Sequence, residues 1–325
     1  EPESIIHDAD KKNEESTKEE TVQEALAEES ADTEVMNAYQ EFLDGKRAVY
    51  IPSEYTYYEE YVDGNHMAYM ADMLRMIKGE YLEWSEREKI ANIQYSYIDC
   101  GKDGIPELII QFIGLDIYSP GDTSDLQCII NYQNGQLVFC YEVASWARSA
   151  EEIYYYGYAE SSGSGGAGCH IFESRIIDRD GVCQNIYEIE NLMGWWTNSV
   201  NLEAYEQCFT TEQDPVIVID VYTIGDYKYH TYEIDYNYEK ECNNYIAMCQ
   251  AAGNVFCSEE EINQAISGRI EALGISAECM EKKEIEWQIL ENPLYEEYVA
   301  DTGVAPISGR YYQKMKKHIK NFSKT

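Results

Sequence analysis

The residues of this 325-residue chain whose types and spacing could do chemistry are few. The most distinctive group is Asp99-Cys100-Gly101-Lys102-Asp103-Gly104-Ile105-Pro106-Glu107-Leu108. A calcium loop of the D-x-D-x-D-G type needs alternating inward oxygens and a glycine where the backbone turns sharply. Asp99, Asp103 and Gly104 keep that spacing, and Glu107 adds a carboxylate. Gly101 removes the middle acid, Lys102 brings a cation to the site, and Ile110 stands where an EF-hand supplies its bidentate Glu. The competing reading is a tight strand-to-strand turn in which Asp99 accepts backbone N–H bonds and Gly104 takes a positive φ. The turn is preferred, and calcium held by Asp99, Asp103 and Glu107 is the alternative.

Aromatic residues are the second feature. Thirty tyrosines and the pair Trp195-Trp196 exceed what a core requires. Tyrosine buries an apolar ring while its hydroxyl stays wet, which suits half-buried sheet faces and binding surfaces alike. In an extended segment from Tyr227, Tyr227 and Tyr229 share one face while Tyr232 and Tyr236 share the other. Tyr227, Tyr229, Trp195 and Trp196 are therefore the ligand-binding candidates, fitted to a glycan, a peptide or a surface protein.

Other strings carry less. Ser161-Ser162-Gly163-Ser164-Gly165-Gly166-Ala167-Gly168 lacks the Lys-Ser/Thr of a phosphate loop, so it reads as a surface loop. Cys169 and His170 would point to opposite faces of a strand and could not act as nucleophile and base. Asp178-Arg179-Asp180-Gly181 reads as a hairpin turn. Sixty-one acids leave a hydrolytic carboxylate pair open without identifying its members, because sequence spacing does not give separation in space. No catalytic residue and no cofactor-binding motif emerges.

The elements that would position these residues change period along the chain. Residues 1–34 hold 13 acids, 3 lysines and no aromatic residue, and read as a disordered acidic tether. The body, 35–325, reads as one globular unit, with 35–240 and a helical 241–325 as an alternative subdivision. Tyr39, Phe42 and Leu43 predict a helix ending at Asp44-Gly45, and Tyr69, Met70, Met73 and Ile77 a second one stopped by Gly79. Ser85 with Glu88 reads as a capping box. Strands are expected at 93–98 and 107–113. Strand pairs flank Asn134-Gly135, Asp180-Gly181 and Gly225-Asp226, and such turns mark hairpins. Ser258 with Glu261 caps a further helix carrying Ile262, Ile266 and Ile270, and helical pieces are expected at 284–290 and 295–299. Lysines 314, 316, 317, 320 and 324 form a basic patch. The fold class that results is α+β: an antiparallel meander of hairpins flanked by N- and C-terminal helices.

The string from Tyr97 through Ile110 resembles a "DxDxDGIPELII" motif of secreted proteins and lipoproteins of anaerobic Gram-positive bacteria, in which it precedes a series of hairpins. The resemblance covers residues 93–190 and, more weakly, Glu284 to Trp287. It implies an exported protein and a suspected cation site, and it brings no activity with it. Charge agrees with such a setting: 61 acidic against 24 basic residues give a net −37, which repels a phosphate backbone and excludes nucleic acid as a partner. No apolar run is long enough for a membrane helix. The chain begins at Glu1 without a Met or a signal segment, and reads as an extracellular or surface protein whose export signal, or a lipid anchor, lay upstream. The ten cysteines lack a CxxC pair and do not decide the compartment. The expected function is a non-catalytic binding or interaction module, with a secreted hydrolase using a carboxylate pair and a cation-stabilised structural domain as alternatives.

Overall fold

Turn chemistry organises this chain into ribbons. The computed structural model describes residues 33–55, 58–82, 88–116, 124–209, 217–234 and 238–300. Residues 1–32, Ser85, Tyr236 and the C-terminal lysines lie outside the described residues. Thr33 and Glu34, expected in the tether, begin helix α1 (33–43). Its Tyr39, Phe42 and Leu43 are fully buried, and it ends at Asp44-Gly45 as the sequence indicated. Helix α2 (Met70–Tyr81) buries Met70, Met73, Leu74, Met76 and Ile77. It runs through Gly79, the expected stop. Gly79 instead admits Tyr61, whose hydroxyl occupies the space that a Cβ at that position would need.

These helices cover one face of a seven-stranded sheet. Its strands are β1 (Val49–Tyr50), β2 (Met67–Ala68), β3 (Asn92–Ile98), β4 (Glu107–Leu115), β5 (Ser124–Gln133) and β6 (Gln136–Ser145), with a C-terminal strand added at one edge. Asn134 and Gly135 join β5 to β6 with φ of 52° and 84°, the doubly left-handed geometry of a type I′ hairpin. All pairings are antiparallel except β1 with β6. Leu108, Ile110, Phe112, Leu126 and Phe139 pack beneath α1 and α2.

The second sheet has six strands, all antiparallel: β7 (Ser149–Ile153), β8 (Tyr158–Gly166), β9 (Cys169–Ile177), β10 (Cys183–Met193), β11 (Ile217–Ile224) and β12 (Tyr227–Ile234), in the spatial order β12-β11-β10-β9-β8-β7. One of its faces packs Ile153, Ala159 and Ile177 against Ile109, Ile129 and Tyr141 of the first sheet. Farther along, that face buries Ile217 and Ile219 under α3 (Leu202–Cys208) and α4 (Glu239–Ala251), through Tyr205, Phe209 and Tyr245. Helix α5 (Glu259–Ala272), capped by the expected Ser258–Glu261 box, lies on the opposite face.

Three further sequence expectations fail here. The Ser/Gly string at 161–168, expected as a loop, belongs mostly to β8, hydrogen-bonded between β7 and β9. Its small side chains leave room for neighbours: Gly163 faces Ser149, and Gly166 and Gly168 face Trp196. Segment 284–290 is extended, not helical. Strand β13 (Gln288–Ile289) pairs with β3, and the Ser96 hydroxyl donates to the Glu286 carbonyl. The expected helix at 295–299 is reduced to a single 3-10 turn, Pro293–Tyr295. The C-terminal part thus returns to the first sheet, where the Tyr295 hydroxyl donates to the Leu43 carbonyl at 3.0 Å. The α+β class, with antiparallel hairpins flanked by helices, stands. All ten cysteines are free thiols. Among the described residues no helix is long and apolar enough to cross a membrane.

Candidate functional site

The Asp99–Glu107 string forms the turn between β3 and β4. Asp99 Oδ1 accepts the Gly104 N–H at 3.0 Å, Asp103 Oδ1 accepts the Ile105 N–H at 2.9 Å, and Glu107 Oε2 accepts the Cys100 N–H at 2.7 Å. Gly104 has φ of 85°. Each of the three carboxyl groups therefore caps a different backbone N–H. Lys102 swings outward to Glu278, 2.6 Å away. Glu107 is 1% exposed, and burial, reinforced by Asp103 and Asp99, pushes its carboxyl up to about 8.

The structure separates the two pairs of aromatic candidates. Trp195 and Trp196 follow Met193, which pairs with Val218, whereas Tyr227 pairs with Ile224 at the other end of β11. Trp196 lies over Gly166 and Gly168, and Trp195 meets Tyr205 edge-on at 5.5 Å. Tyr227 and Tyr229 do share a face, with ring centroids 6.5 Å apart. Cys169 and His170 point to opposite faces as expected: Cys169 is in the core under α3 and α4, and His170 is on the other side.

Register then assembles a surface that the sequence did not show. Antiparallel pairing aligns residues directly across a sheet, and alternation puts every second residue on one face. Across β8 to β12 this aligns Ser162, Phe172, Ile189, Tyr222 and Tyr229 in one row. Ser164, His170, Asn191, Asp220 and Thr231 form the adjacent row on the same face. From Phe172 to Tyr229 and from His170 to Thr231, these side chains are half-buried, neither sealed in a core nor fully in water. Tyr227, 68% exposed, extends the aromatic row at the β12 edge. Helix α5 crosses the hairpin end of this face. Its Ile266 and Ile270 pack with Ile186 and Tyr187, Arg269 donates to the Asn185 carbonyl, and Glu259 lies close enough to act on Tyr222.

The polar groups of this face are arranged for hydrogen bonding. Asn191 Nδ2 donates to Asp220 Oδ1 at 2.5 Å. Burial raises the Asp220 carboxyl, and burial holds the His170 imidazole below its ordinary value, so the ring is neutral at neutral pH. Two atoms on this side, Ser162 Oγ and His170 Nδ1, are buried with no hydrogen-bond partner, and Ser162 is 1% exposed. Native interiors satisfy nearly all such atoms, so unmet ones mark places where water or a ligand completes the bonding. Of the whole set, the sequence had identified Tyr229 and Tyr227. Phe172, Ile189, Asn191, Asp220 and Tyr222 were missed because membership depends on pairing register. Alternation counted from the Gly225-Asp226 turn could have found Tyr222 and Asp220, but counting from Asp180-Gly181 would have misplaced Ile189 and Asn191, because an irregularity between Asn185 and Tyr187 shifts the register by one residue.

The opposite face of the same sheet holds a charged row, Glu151–Ser161–Glu173–Glu188–Thr223–Lys228. Arg175 pairs with Glu151 at 2.9 Å and with Glu173, while the Tyr141 hydroxyl donates to Glu151 and the Ser161 hydroxyl to Glu173. Glu173 and Glu188 stand directly opposed, and Glu188 is raised by burial and then by Glu173 and Glu190. Glu152 and Glu160 are likewise directly opposed, so the structure brings together at least two carboxylate pairs, with Glu173 committed to Arg175 and Ser161 and Glu160 to Lys282. No family model, curated protein or solved structure matches the chain.

Proposed function

We propose that the protein is an exported, non-catalytic carbohydrate-binding module, and that the ligand lies on the half-exposed face of the second sheet. The observation that carries this reading is the pairing of two rows: an apolar, mainly aromatic row ending at Tyr222 and Tyr229 beside a polar row containing His170, Asn191, Asp220 and Thr231. A saccharide presents the same division, C–H faces that pack on rings and hydroxyls that both donate and accept. Four strand spacings separate β8 from β12, about 19 Å, enough for an extended chain. Rigid aromatic anchors with adaptable amide and hydroxyl partners are also what binding surfaces use at low entropic cost.

Purified protein screened on a glycan array, with hits measured by calorimetry, tests the proposal. Saccharide binding that falls about two- to tenfold in Tyr222→Ala or Tyr229→Ala, the effect of one lost stacking contact, is expected. An array with no hit, or affinities untouched by both substitutions, would sink it.

A further inference from the structure

Ligand class can be narrowed from the charges around the rows. Asp220 is the fourth of the five residues in the polar row, on β11 between β10 and β12, with its Oδ1 occupied by the Asn191 amide. No Lys or Arg forms an ion pair with it among the described residues; the charged group acting on it is Glu233, a second acid. Glu233 lies on the same face, two residues along β12 from Thr231, and is exposed. Glu259, at the first turn of α5, adds a third carboxylate close to Tyr222. The cations around this face are engaged away from Asp220: Arg148 donates to Ser164 Oγ at 3.1 Å, three strands from Asp220 at the β8 end of the row, Lys282 pairs with Glu160 at 2.5 Å, and Arg269 bonds the Asn185 carbonyl. A half-buried carboxylate with only acidic neighbours is costly unless a ligand brings the counter-charge. The Tyr222 ring beside it, and Tyr229 diagonally across on β12, add a second attraction, since aromatic faces draw cations.

Resting on the saccharide reading above, we infer that the ligand is a cationic saccharide bearing free amino groups, with an ammonium seated between the Asp220 carboxylate and the aromatic row. Neutral and N-acetylated sugars lack that charge, and anionic polymers are repelled by the acids on this face and by a chain of net −37.

The test uses the whole chain and three probes at pH 6.5 in calorimetry: glucosamine oligomers, their N-acetylated counterparts and neutral glucan oligomers of equal length. The free-amine oligomers should bind about tenfold tighter than the other two, as a hydrogen bond to a charged partner warrants. That advantage should vanish in Asp220→Asn, which keeps the shape and the acceptor for Asn191, and should shrink as salt is raised. A thermal melt of Asp220→Asn matching the parent establishes that folding is intact, and Glu233→Gln supplies an independent variant should it not. Equal affinity for acetylated and free-amine oligomers would overturn the inference while leaving the saccharide site standing. Absence of binding by all three, together with a blank array, would remove both.

Discussion

Replacing Glu107 by Gln should stabilise the protein at neutral pH, by an amount that grows with pH. Glu107 is enclosed at the β3–β4 turn with its carboxyl raised to about 8, against an ordinary value of 4.5. A carboxyl raised on folding contributes stability that is fully present below its unfolded value and is lost as pH climbs through the folded one. Each unit between those limits costs about 1.4 kcal/mol, so by pH 7 the parent has lost about 3 kcal/mol. The amide introduced by Glu107→Gln would retain an acceptor for the Cys100 N–H, now 2.7 Å from Glu107 Oε2, and carries no ionisable group. Urea unfolding of both proteins from pH 5 to 8.5 reads the difference directly. The gap should be below about 1 kcal/mol at pH 5, reach about 3 kcal/mol at pH 7, and level off above pH 8. A gap independent of pH, or a Gln variant weaker throughout, would refute the argument that burial of this carboxyl governs its titration.

Further outcomes follow from the same geometry. Arg175→Met should destabilise by about 3–5 kcal/mol in urea unfolding at neutral pH, because Glu151, 1% exposed and left with the Tyr141 hydroxyl, would have to stay buried without its counter-charge or take up a proton. Gly268→Ala in α5, where a Cβ meets nothing within 4 Å, should raise stability by about 0.5–1 kcal/mol, whereas Gly79→Ala in α2 should lose that gain to the Tyr61 hydroxyl; a thermal-melt comparison checks the pair. Gly168→Ala would place a methyl 2.5 Å from Trp196 Cδ1 and 2.9 Å from the Met193 carbonyl, and should lower the melting temperature and shift tryptophan emission.

What the sequence made legible was local chemistry. Asn134-Gly135 and Gly225-Asp226 identify hairpins because L-residues resist the positive φ those turns require, and the strands beside them fell where turn geometry put them. Ser258 and Glu261 identified a helix start for an equally local reason. Strand β8 was not legible, because serine and glycine have little strand preference of their own; β7 and β9 impose the extended form from both sides. Segment 284–290 has helix-favouring residues yet takes its conformation from the β3 edge. The site was the least accessible part. Tyr229 stood out as one of many tyrosines, but its neighbours Tyr222, Ile189 and Phe172 come from three other strands, and a single-residue slip in any pairing would have sent them to the opposite face. The Asp99 string shows the reverse case, in which a spacing suggestive of ligands is used to cap three backbone N–H groups.

The most direct measurement is a crystal structure of the protein with a bound oligosaccharide from the array. Sugar rings are predicted over Phe172, Tyr222 and Tyr229, with hydroxyl or amino groups on Asn191 and Asp220. Density for the saccharide at Trp195 and Trp196, or on any surface other than this face, would contradict the account.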